Sequence, residues 1–508
     1  MPVKLGLRRD CDAPLYLQIR DCLKERIEGG ILLPGTKLPP TRTLAEELDV
    51  SRVTVVNAYA ELEAEGLVWA HVGRGTFVAD PHRRDGRVRE TPYEWQTRLL
   101  APAGLSASGM LADMLQLAQQ PDLISFGMGA PATELLPVRD FREAINQVLR
   151  RDGPEALQYD EAVGYKPLRS AITRLLLAEG MELRSGQILI TSGSQQGLDL
   201  VARVFTKPGD LVVTESPTYL GALDVFQSQG VTVQGVEVDA EGMRVDVLEA
   251  LISRHRPSLI YSIPAFHNPT GVTLSSGRRE QLLRLARQYG ILLLEDGVSS
   301  ELRYGGPPVP TLCATAGEES VVYVNSFSKI LLPGIRIGYL VAAGRLMERL
   351  VAMKQSTDLL TSPLMQRALA EYLERGHLEG HLERTRSVYR ERRDAMLAGL
   401  ARYLPAEARW TIPRGGLFVW LTLPESVSAA QLYLRAIDHG VAFAVGSVFF
   451  PQNAVPSSLR LNFAAHSLAQ IDEGLRRLGR AVREQLGRPS RGQRARARGT
   501  LPGGSEGG

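Results

Sequence analysis

The sequence predicts an α/β protein in which a small helical domain precedes a large domain built around an open, mostly parallel sheet. Three observations lead to this prediction. The chain has 508 residues, which is too long for one ordinary domain. The first 80 residues have the pattern of short helices followed by a hairpin. From about residue 120 to about residue 485, apolar strand-like runs alternate with amphipathic helical stretches.

Composition limits the classes of protein to which the chain belongs. A hydrophobic content of 44 % is enough for a large core, and the net charge is only +3. The charged start "MPVKLGLRRDCD" lacks the apolar run of a signal peptide, and the sequence has no membrane-spanning run of about 18 apolar residues. Cys11, Cys22 and Cys313 are odd in number and lack metal-ligand spacing. We therefore expect a cytoplasmic protein without membrane contact or a metal site.

The first 80 residues contain three helical patterns and one hairpin pattern. "PLYLQIRDCLKERIEGG" has apolar residues at helical spacing and stops at its two glycines. "TRTLAEELDV" follows with Thr41 as a cap, and "SRVTVVNAYAELEAEG" begins at the capping residue Ser51. "LVWAHVGRGTFVA" then gives two apolar runs around a Gly-Arg-Gly turn. Together they predict a winged helix-turn-helix, with residues 52–65 as the helix that enters a major groove.

This amino-terminal pattern resembles the GntR family of bacterial transcription regulators over about residues 13–79, through "PLYLQI", "PGTKLPPTRTLA", "VSRVTVVNAYAELEAEGLV" and "GRGTFV". The resemblance implies binding to double-stranded DNA. By position, the implied DNA-binding residues are Arg42, Arg52 and Thr54, with Arg74 and Gly75 at the tip of the wing. A single helical arginine is more often simply solvated, and residues 1–90 contain as many acidic as basic side chains. The order of the motifs, and not the net charge, therefore supports DNA binding.

Two segments lack the periodicity of a packed core. Residues 81–113 contain the arginine-rich "PHRRDGRVRE" and the small-residue stretch "APAGLSASG", which predict a linker. Residues 487–508 are rich in arginine and glycine and predict a disordered tail. The tail's arginines are available for DNA, although solvation is the commoner outcome for such a segment. The large domain would then span residues 114–486.

Polar residues of the large domain cluster where predicted strands end, and open parallel sheets bind ligands at those ends. Ser194 and Gln195 follow "QILITSG" at a strand-to-helix junction, where free N–H groups suit a phosphate. Asp296 ends the apolar run "ILLLED" and would be costly to bury without a cation. Lys329 follows the apolar run "VVYVN". Further possible phosphate donors are Ser326, Ser328 and Arg336.

Pyridoxal 5'-phosphate (PLP) satisfies these groups together. Its phosphate suits the helix end, its protonated ring nitrogen suits Asp296, and its aldehyde condenses with the amine of Lys329. Taken singly, these residues are equally compatible with a helix cap, a core position or a surface ion pair. Their joint occurrence in order favours a cofactor site.

The large domain resembles the fold-type I aminotransferases over about residues 120–485, through "YDEAVGYKPLR", "TSGSQQGL", "ESPTYLG", "HNPTG", "ED", "SFSKILLPGIRIGY" and "SLRLNFA". The resemblance implies a PLP-binding domain with a smaller carboxy-terminal α+β subdomain. It implies that Lys329 is the catalytic Schiff-base lysine and that Asp296 pairs with the ring nitrogen. By position it also implies that Asn268 donates to the phenolic oxygen and that Tyr219 stacks on the ring. The implied phosphate ligands are Ser194, Gln195, Ser326 and Arg336, and Tyr159 would reach the phosphate of the neighbouring subunit. Arg460 would clamp a substrate carboxylate.

One position departs from the pattern of related regulators. These proteins usually have a tyrosine two residues after the ring-nitrogen aspartate, and its hydroxyl helps to hold the phenolic oxygen. This chain has Val298 there. We expect cofactor binding to survive this loss and transamination to be less favoured.

A GntR-type winged helix joined to an aminotransferase-like domain is the organisation of the MocR subfamily of bacterial regulators. The resemblance implies a head-to-tail homodimer that regulates transcription and senses PLP, or an amino compound through an external aldimine. The alternative is an active aminotransferase with a secondary DNA-binding domain, which the intact Lys329, Asp296 and Arg460 keep open. A third interpretation is a regulator that keeps the fold as a scaffold without cofactor.

Overall fold

The computed structural model describes residues 14–28, 32–33, 35–71, 75–79, 122–317, 320–452 and 457–487. The chain divides into two compact units, Met1–Ala103 and Gly104–Gly508. Each unit has its own hydrophobic core. Arg74, the predicted linker at residues 81–113 and the predicted tail beyond Gly487 lie outside the described residues.

The small unit is a winged helix-turn-helix, as predicted. Its elements are α1 (Leu15–Glu28), α2 (Thr41–Leu48), α3 (Arg52–Ala64), β1 (Val68–His71) and β2 (Gly75–Val78). The two strands pair antiparallel, and Lys37 adds a bridge to Phe77 on the outer side of β2. The core forms because Ile19 and Leu23 of α1 pack with Leu44 of α2 and with Val55 and Leu62 of α3, all without solvent exposure.

The two predicted helix caps differ in outcome. The Ser51 side chain accepts a hydrogen bond from the Thr54 backbone N–H at 3.1 Å, so it caps α3 as expected. Thr41 does not cap α2, because the residue itself is already helical and Pro40 occupies the capping position without a side-chain hydrogen bond. Proline before the first helical turn leaves the exposed N–H groups of α2 to solvent or to a ligand.

The large unit contains fourteen strands in its described residues, of which eight form one sheet. In chain order they are β3 (Ile124–Ser125), β4 (Ile188–Thr191), β5 (Leu211–Ser216), β6 (Thr232–Asp239), β7 (Gly242–Met243), β8 (Leu259–Ser262), β9 (Leu292–Asp296), β10 (Val321–Ser326), β11 (Gly338–Val341), β12 (Arg409–Trp410), β13 (Phe418–Thr422), β14 (Val441–Ala442), β15 (Ala444–Val445) and β16 (Ser458–Asn462).

Helices separate most of these strands. They are α4 (Val138–Asp152), α5 (Lys166–Ala178), α6 (Ser194–Phe205), α7 (Leu220–Ser228), α8 (Val245–Arg254), α9 (Ser276–Tyr289), α10 (Leu312–Ala316), α11 (Gly344–Asp358), α12 (Pro363–Glu374), α13 (His377–Tyr403), α14 (Ala429–Asp438) and α15 (Leu468–Leu486). No helix among the described residues is both long enough and apolar enough to span a lipid bilayer.

The large sheet has the strand order β4-β11-β10-β9-β8-β5-β6-β7. Strands β10, β9, β8, β5 and β6 are parallel to their neighbours, whereas β11 runs antiparallel to both β10 and β4, and β7 to β6. The predicted open, mostly parallel sheet is therefore confirmed. Because of these directions, the carboxyl ends of β4, β5, β8, β9 and β10 meet the amino end of β11 at one edge.

Both faces of this sheet are buried, which explains why its strands are nearly continuous apolar runs. Successive side chains point to opposite faces, so Ile188 and Ile190 join one hydrophobic cluster while Leu189 joins the other. In the same way Val321 and Val322 belong to different clusters. The rigid sheet thereby fixes the positions of the polar residues that follow its strands.

The carboxy-terminal part forms a smaller α+β subdomain around a four-stranded antiparallel sheet of order β12-β13-β16-β15. Within it, Arg460 of β16 lies between Trp420 of β13 and Ala444 of β15. A short parallel ladder between β3 and β14 joins the first described segment of the large unit to this subdomain. The chain then continues as Gly127–Ala130 toward the edge of the large sheet.

Candidate cofactor-binding site

Lys329 lies in the turn that follows β10, at the edge where the strands end. Its Nζ donates a hydrogen bond to the Gly129 carbonyl oxygen at 2.7 Å. Burial lowers the pKa of the Lys329 amine to about 8, and the positive charges of Arg460 and Arg336 contribute, while Asp296 opposes the shift. Near neutral pH a usable fraction of this amine is therefore uncharged, which a nucleophile requires.

Asp296, the last residue of β9, is buried and lies close enough to Lys329 to affect its charge. One carboxylate oxygen accepts from the Tyr261 hydroxyl at 2.8 Å, and the other accepts from the Val298 N–H at 3.1 Å. Burial raises the pKa of Asp296 to about 6, while these hydrogen bonds and Lys329 oppose the shift. The carboxylate thus has neutral donors but no hydrogen-bonded cation among the described residues.

The candidate phosphate cradle consists of the start of α6 and Arg336, which lies against the residues that precede this helix. Arg336 donates to the Ser192 carbonyl oxygen at 3.2 Å and to the Ser328 hydroxyl at 3.3 Å. Gly193 precedes α6 with φ of 89°, and a Cβ atom there would come within 2.5 Å of the Arg336 guanidinium. Only glycine fits this position, because the backbone is in the left-handed region and the arginine lies against it.

The serines predicted to bind phosphate lie beside this cradle. The Ser326 hydroxyl donates to the Ser328 Oγ at 2.9 Å and accepts from the Ser328 backbone N–H at 3.1 Å. Ser194 is the first residue of α6, so its N–H is among those without an intrahelical acceptor. The start of α6, two hydroxyl groups and one guanidinium therefore lie next to one another, and all are groups that bind anions.

Gln195, in the first turn of α6, and Tyr219, which follows β5, are hydrogen-bonded to each other. The Tyr219 hydroxyl donates to the Gln195 Oε1 at 3.1 Å, and the Gln195 amide nitrogen donates to the Gly221 carbonyl oxygen at 2.8 Å. Since both ends of the Gln195 side chain are engaged, its backbone N–H is the group left for the predicted phosphate contact. Burial raises the pKa of Tyr219 to about 12, so its hydroxyl stays protonated.

Arg460 is a buried guanidinium that forms no ion pair among the described residues. It donates to the Asn268 Oδ1 at 2.8 Å and to the Gly127 carbonyl oxygen at 2.7 Å, while its Nε has no hydrogen-bond partner in the part of the chain that the structure describes. Its guanidinium carbon lies 4.2 and 4.7 Å from the ring centroids of Phe418 and Phe449. Burial lowers the pKa of Arg460 to about 9. This group is therefore placed to receive an anion from a ligand.

The same contact fixes the orientation of Asn268. A guanidinium only donates hydrogen bonds, so the oxygen of the Asn268 amide must face Arg460. The Asn268 Nδ2 then points elsewhere and is available as a donor, as the predicted contact with a phenolic oxygen requires.

Three residues that the sequence did not single out support this site. Tyr261 binds Asp296 from within β8. Asn462 holds the Gly127–Ala130 segment by donating to the carbonyl oxygens of Met128 and Ala130 at 2.6 and 2.9 Å. Lys354 is fully buried behind α6 and binds Gln196, Asp358 and Thr361. Of these three residues, the sequence pattern could have indicated only Asn462, because it lies within the motif "SLRLNFA", two residues after Arg460.

Two groups of predicted site residues lie outside this cluster. The Tyr159 side chain is 82 % exposed, and its predicted role involves a second subunit. In the small unit, Arg52 is exposed at the first position of α3 and Thr54 binds the Ser51 hydroxyl at 2.8 Å. Arg42 is exposed on α2 and its Nε lies 3.3 Å from Glu46. Gly75 begins β2 with φ of 115°.

A cavity of about 580 Å³ lies beside Asp296, lined in part by Arg279, Glu295 and Glu301. Its buried charges already have partners. Arg279 donates to three backbone carbonyl oxygens, and Glu295 accepts from the N–H groups of Leu312 and Cys313. No ligand is needed to satisfy these charges, in contrast to Arg460.

Comparison with known families matches both units. Residues 121–478 match the family model for aminotransferase class I and II, and residues 15–78 match that for bacterial regulatory proteins of the gntR family. The HTH-type transcriptional regulator YdfD of Bacillus subtilis is 32 % identical over 94 % of this chain and 98 % of its own length. The probable rhizopine catabolism regulatory protein MocR of Rhizobium meliloti is 31 % identical over 85 % of this chain and 83 % of its own.

Among solved structures, the large unit is similar to LysN, the alpha-aminoadipate aminotransferase of Thermus thermophilus, complexed with N-(5'-phosphopyridoxyl)-L-leucine. The TM-score is 0.69 at 39 % identity, covering 75 % of this chain and 99 % of that one. The aminotransferase class I and II family depends on pyridoxal phosphate, which is therefore the cofactor.

The residues at the site fit this cofactor. The Arg336 guanidinium and the start of α6 suit the phosphate, and the Arg460 Nε, which has no hydrogen-bond partner among the described residues, suits a ligand anion. Asp296 has no hydrogen-bonded cation among the described residues, and a protonated ring nitrogen would supply one. With its gntR-type region and its PLP-dependent domain, the chain belongs to the aminotransferase class I and II family and, within the gntR-type regulators, to the MocR subfamily.

Proposed function

We propose that this gntR-type regulator binds a promoter as a dimer and that its large unit detects an amino compound, or PLP itself. The observation that carries the ligand class is the environment of Arg460. Its guanidinium is buried, and among the described residues it bonds only to neutral oxygens and has one nitrogen without a hydrogen-bond partner. Burying such a charge is costly unless an anion arrives. The ligand we propose is therefore an amine that also carries a carboxylate.

When bound, PLP supplies an aldehyde that condenses with primary amines and a ring that withdraws electrons. The side chains of this protein provide the remaining functions. Lys329 would hold or accept a proton at Nζ, Asp296 would present its carboxylate to a ring nitrogen, and the Asn268 Nδ2 would donate a hydrogen bond. Arg336, Ser326 and Ser328 would hold the phosphate together with the first turn of α6.

The Gly127–Ala130 segment is bound by both cations that we propose to face the ligand. Lys329 bonds to the Gly129 carbonyl oxygen and Arg460 to the Gly127 carbonyl oxygen, so both ligand-facing cations hold this segment. The segment lies carboxy-terminal to the predicted linker at residues 81–113. A ligand that changes these contacts binds two conformations unequally, which is the condition for shifting their populations.

We propose a head-to-tail homodimer because Tyr159 is predicted to reach the cofactor phosphate of a neighbouring subunit and is exposed in its own chain. Its side chain is 82 % exposed, which is unusual for a large aromatic residue. A second copy would give this side chain a partner.

The alternative function is an active aminotransferase. The similarity to LysN and the presence of Lys329, Asp296 and Arg460 favour it. Val298 opposes it, because a valine provides no hydroxyl near the phenolic oxygen.

We expect candidate amino acids to change the promoter affinity of the full-length protein by about 5- to 150-fold, the range of a typical coupling free energy. We expect keto acid to form in the same samples far more slowly than the roughly 10 per second typical of enzymes. Fluorescence anisotropy of labelled promoter DNA and keto-acid detection provide the two measurements. Turnover near the enzymatic rate with unchanged DNA affinity would support the aminotransferase function instead.

Alanine at both Arg42 and Arg52 should weaken promoter binding, because losing a base-directed arginine contact costs about 1–3 kcal/mol. The dependence of affinity on salt should also become shallower wherever a phosphate contact is lost. Arg139→Ala is a matched control. Arg139 and Arg42 have side chains that are both 83 % exposed, and each pairs with a glutamate four residues on. Equal affinity of the double variant and the Arg139 variant would contradict DNA binding through these residues.

A further inference from the structure

The helix α3 carries an exposed apolar surface near its amino-terminal end. Val53 is 65 % exposed and Val56 is 42 % exposed, whereas Val55, Ala58 and Leu62 form the buried face. Residues three positions apart lie side by side on a helix, so the two exposed valines form one continuous patch. An exposed helix face is ordinarily polar.

Folding of the small unit does not explain this patch. Valine is among the poorer helix formers because its branched side chain loses rotational freedom, so it gives α3 no advantage over alanine. Neither side chain contributes to the core, which is complete on the opposite face of the helix. The patch therefore suits a contact outside the unit.

The occupant that fits is DNA, and this step rests on the proposed function. The amino-terminal residues of a recognition helix lie nearest the base edges in the major groove. Of the four bases only thymine presents a methyl group there, and its usual protein partner is an apolar side chain. We infer that Val53 and Val56 read thymine methyl groups in the operator.

The polar neighbours of the two valines agree with this assignment. Arg52 precedes the patch and Asn57 follows it, and both are exposed. Arginine pairs with guanine and asparagine with adenine through the same groove. The side chains of Val53 and Val56 are about 5–6 Å apart by helix geometry, which corresponds to one or two base-pair steps of about 3.4 Å.

The test uses the full-length protein and its best duplex from a randomised DNA pool. Each thymine is replaced in turn by uracil, which removes the methyl group and leaves every hydrogen-bonding group in place. We expect the affinity for the duplex to fall about three- to fivefold when one or two thymines per half-site are replaced, which is the effect of losing one buried methyl group. Placing 5-methylcytosine there should bind more tightly than cytosine, since it restores the methyl group.

Val53→Ala and Val56→Ala then connect each valine with a base. Each variant should weaken the preference for thymine over uracil at one position and keep it at the other, because alanine retains one methyl group but loses the two that reach furthest from the helix. Alanine is a better helix former, so a folding defect is not expected to account for the change.

Two outcomes would overturn the assignment while leaving the regulator function intact. In one, no uracil substitution changes the affinity of the wild-type protein by more than about twofold, which is below the effect of one buried methyl. In the other, the valine variants weaken binding equally to thymine and uracil duplexes, as a contact with the DNA backbone would. Failure of the wild-type protein to select any duplex would instead contradict the proposed function itself.

Discussion

Replacement of Lys329 by alanine should abolish covalent attachment of PLP and the absorbance that depends on it, so that the yellow colour of the lysine-linked cofactor is lost. The reason is that Lys329 has a lowered amine pKa of about 8 and, within the described part of the chain, bonds to no group other than a carbonyl oxygen. The cofactor itself should still bind, because the phosphate cradle around Arg336 does not depend on this lysine. Absorbance spectra and release of cofactor after denaturation measure the two effects separately.

Lys354 provides the control for this prediction. It is also buried and its pKa is also lowered, but its Nζ is held by Asp358, Gln196 and Thr361 at 2.9 to 3.1 Å. An ion-paired amine with its donors engaged is a poor nucleophile. After borohydride reduction, peptide mapping should find the cofactor on Lys329 in the wild-type protein and also in Lys354→Met. Recovery of the cofactor on Lys354 would show that the assignment is wrong.

The existence of the large parallel sheet could be predicted because strands buried on both faces have continuous apolar runs. The order of the strands in this sheet could not be predicted. β4 pairs with β11, so Thr191 meets Gly338 although the two residues are far apart in sequence. β11 also enters the sheet in the direction opposite to its neighbours. Such pairings depend on tertiary packing and leave no local pattern.

Some residues of the candidate site could likewise be predicted from the sequence, and others could not. Asp296, Lys329 and Arg460 could be identified because charged residues inside or after apolar strands need a partner or a function. Tyr261 could not, because its contact with Asp296 depends on how β8 is aligned with β9. Lys354 could not either, because a lysine in a helix has the pattern of a surface residue.

The hydrogen-bond partners of Asp296 could not be predicted from the sequence, which indicated only that a buried carboxylate needs a cation. The structure gives this carboxylate two neutral donors, the Tyr261 hydroxyl and the Val298 N–H. Val298 therefore contributes through its backbone, which any residue except proline provides, while its side chain lacks the hydroxyl found in related regulators. The sequence identified the missing hydroxyl but not the donor that remains.

Replacement of Arg460 by alanine should weaken the response to amino acids by about 30-fold to several thousandfold. Truncating one member of a buried charge pair costs about 2–5 kcal/mol, and Arg460 has no protein carboxylate that would compete for it among the described residues. The measurement is the ligand concentration that gives half of the spectral change. The variant should also raise the pKa of Lys329, because the charge of Arg460 helps to lower it. The Lys329 amine would then become neutral, and able to attach the cofactor, only at higher pH.

The matched ligand for this experiment is the decarboxylated amine of the same amino acid. It has no carboxylate to lose, so Arg460→Ala should change its half-saturating concentration by less than about threefold. Arg460→Lys separates charge from geometry, because lysine keeps the positive charge but not the forked pair of donors. Equal losses for the amino acid and its decarboxylated amine would mean that the substitution disturbs the site through Asn268 and Gly127. An unchanged response to the amino acid would mean that the ligand carboxylate binds elsewhere.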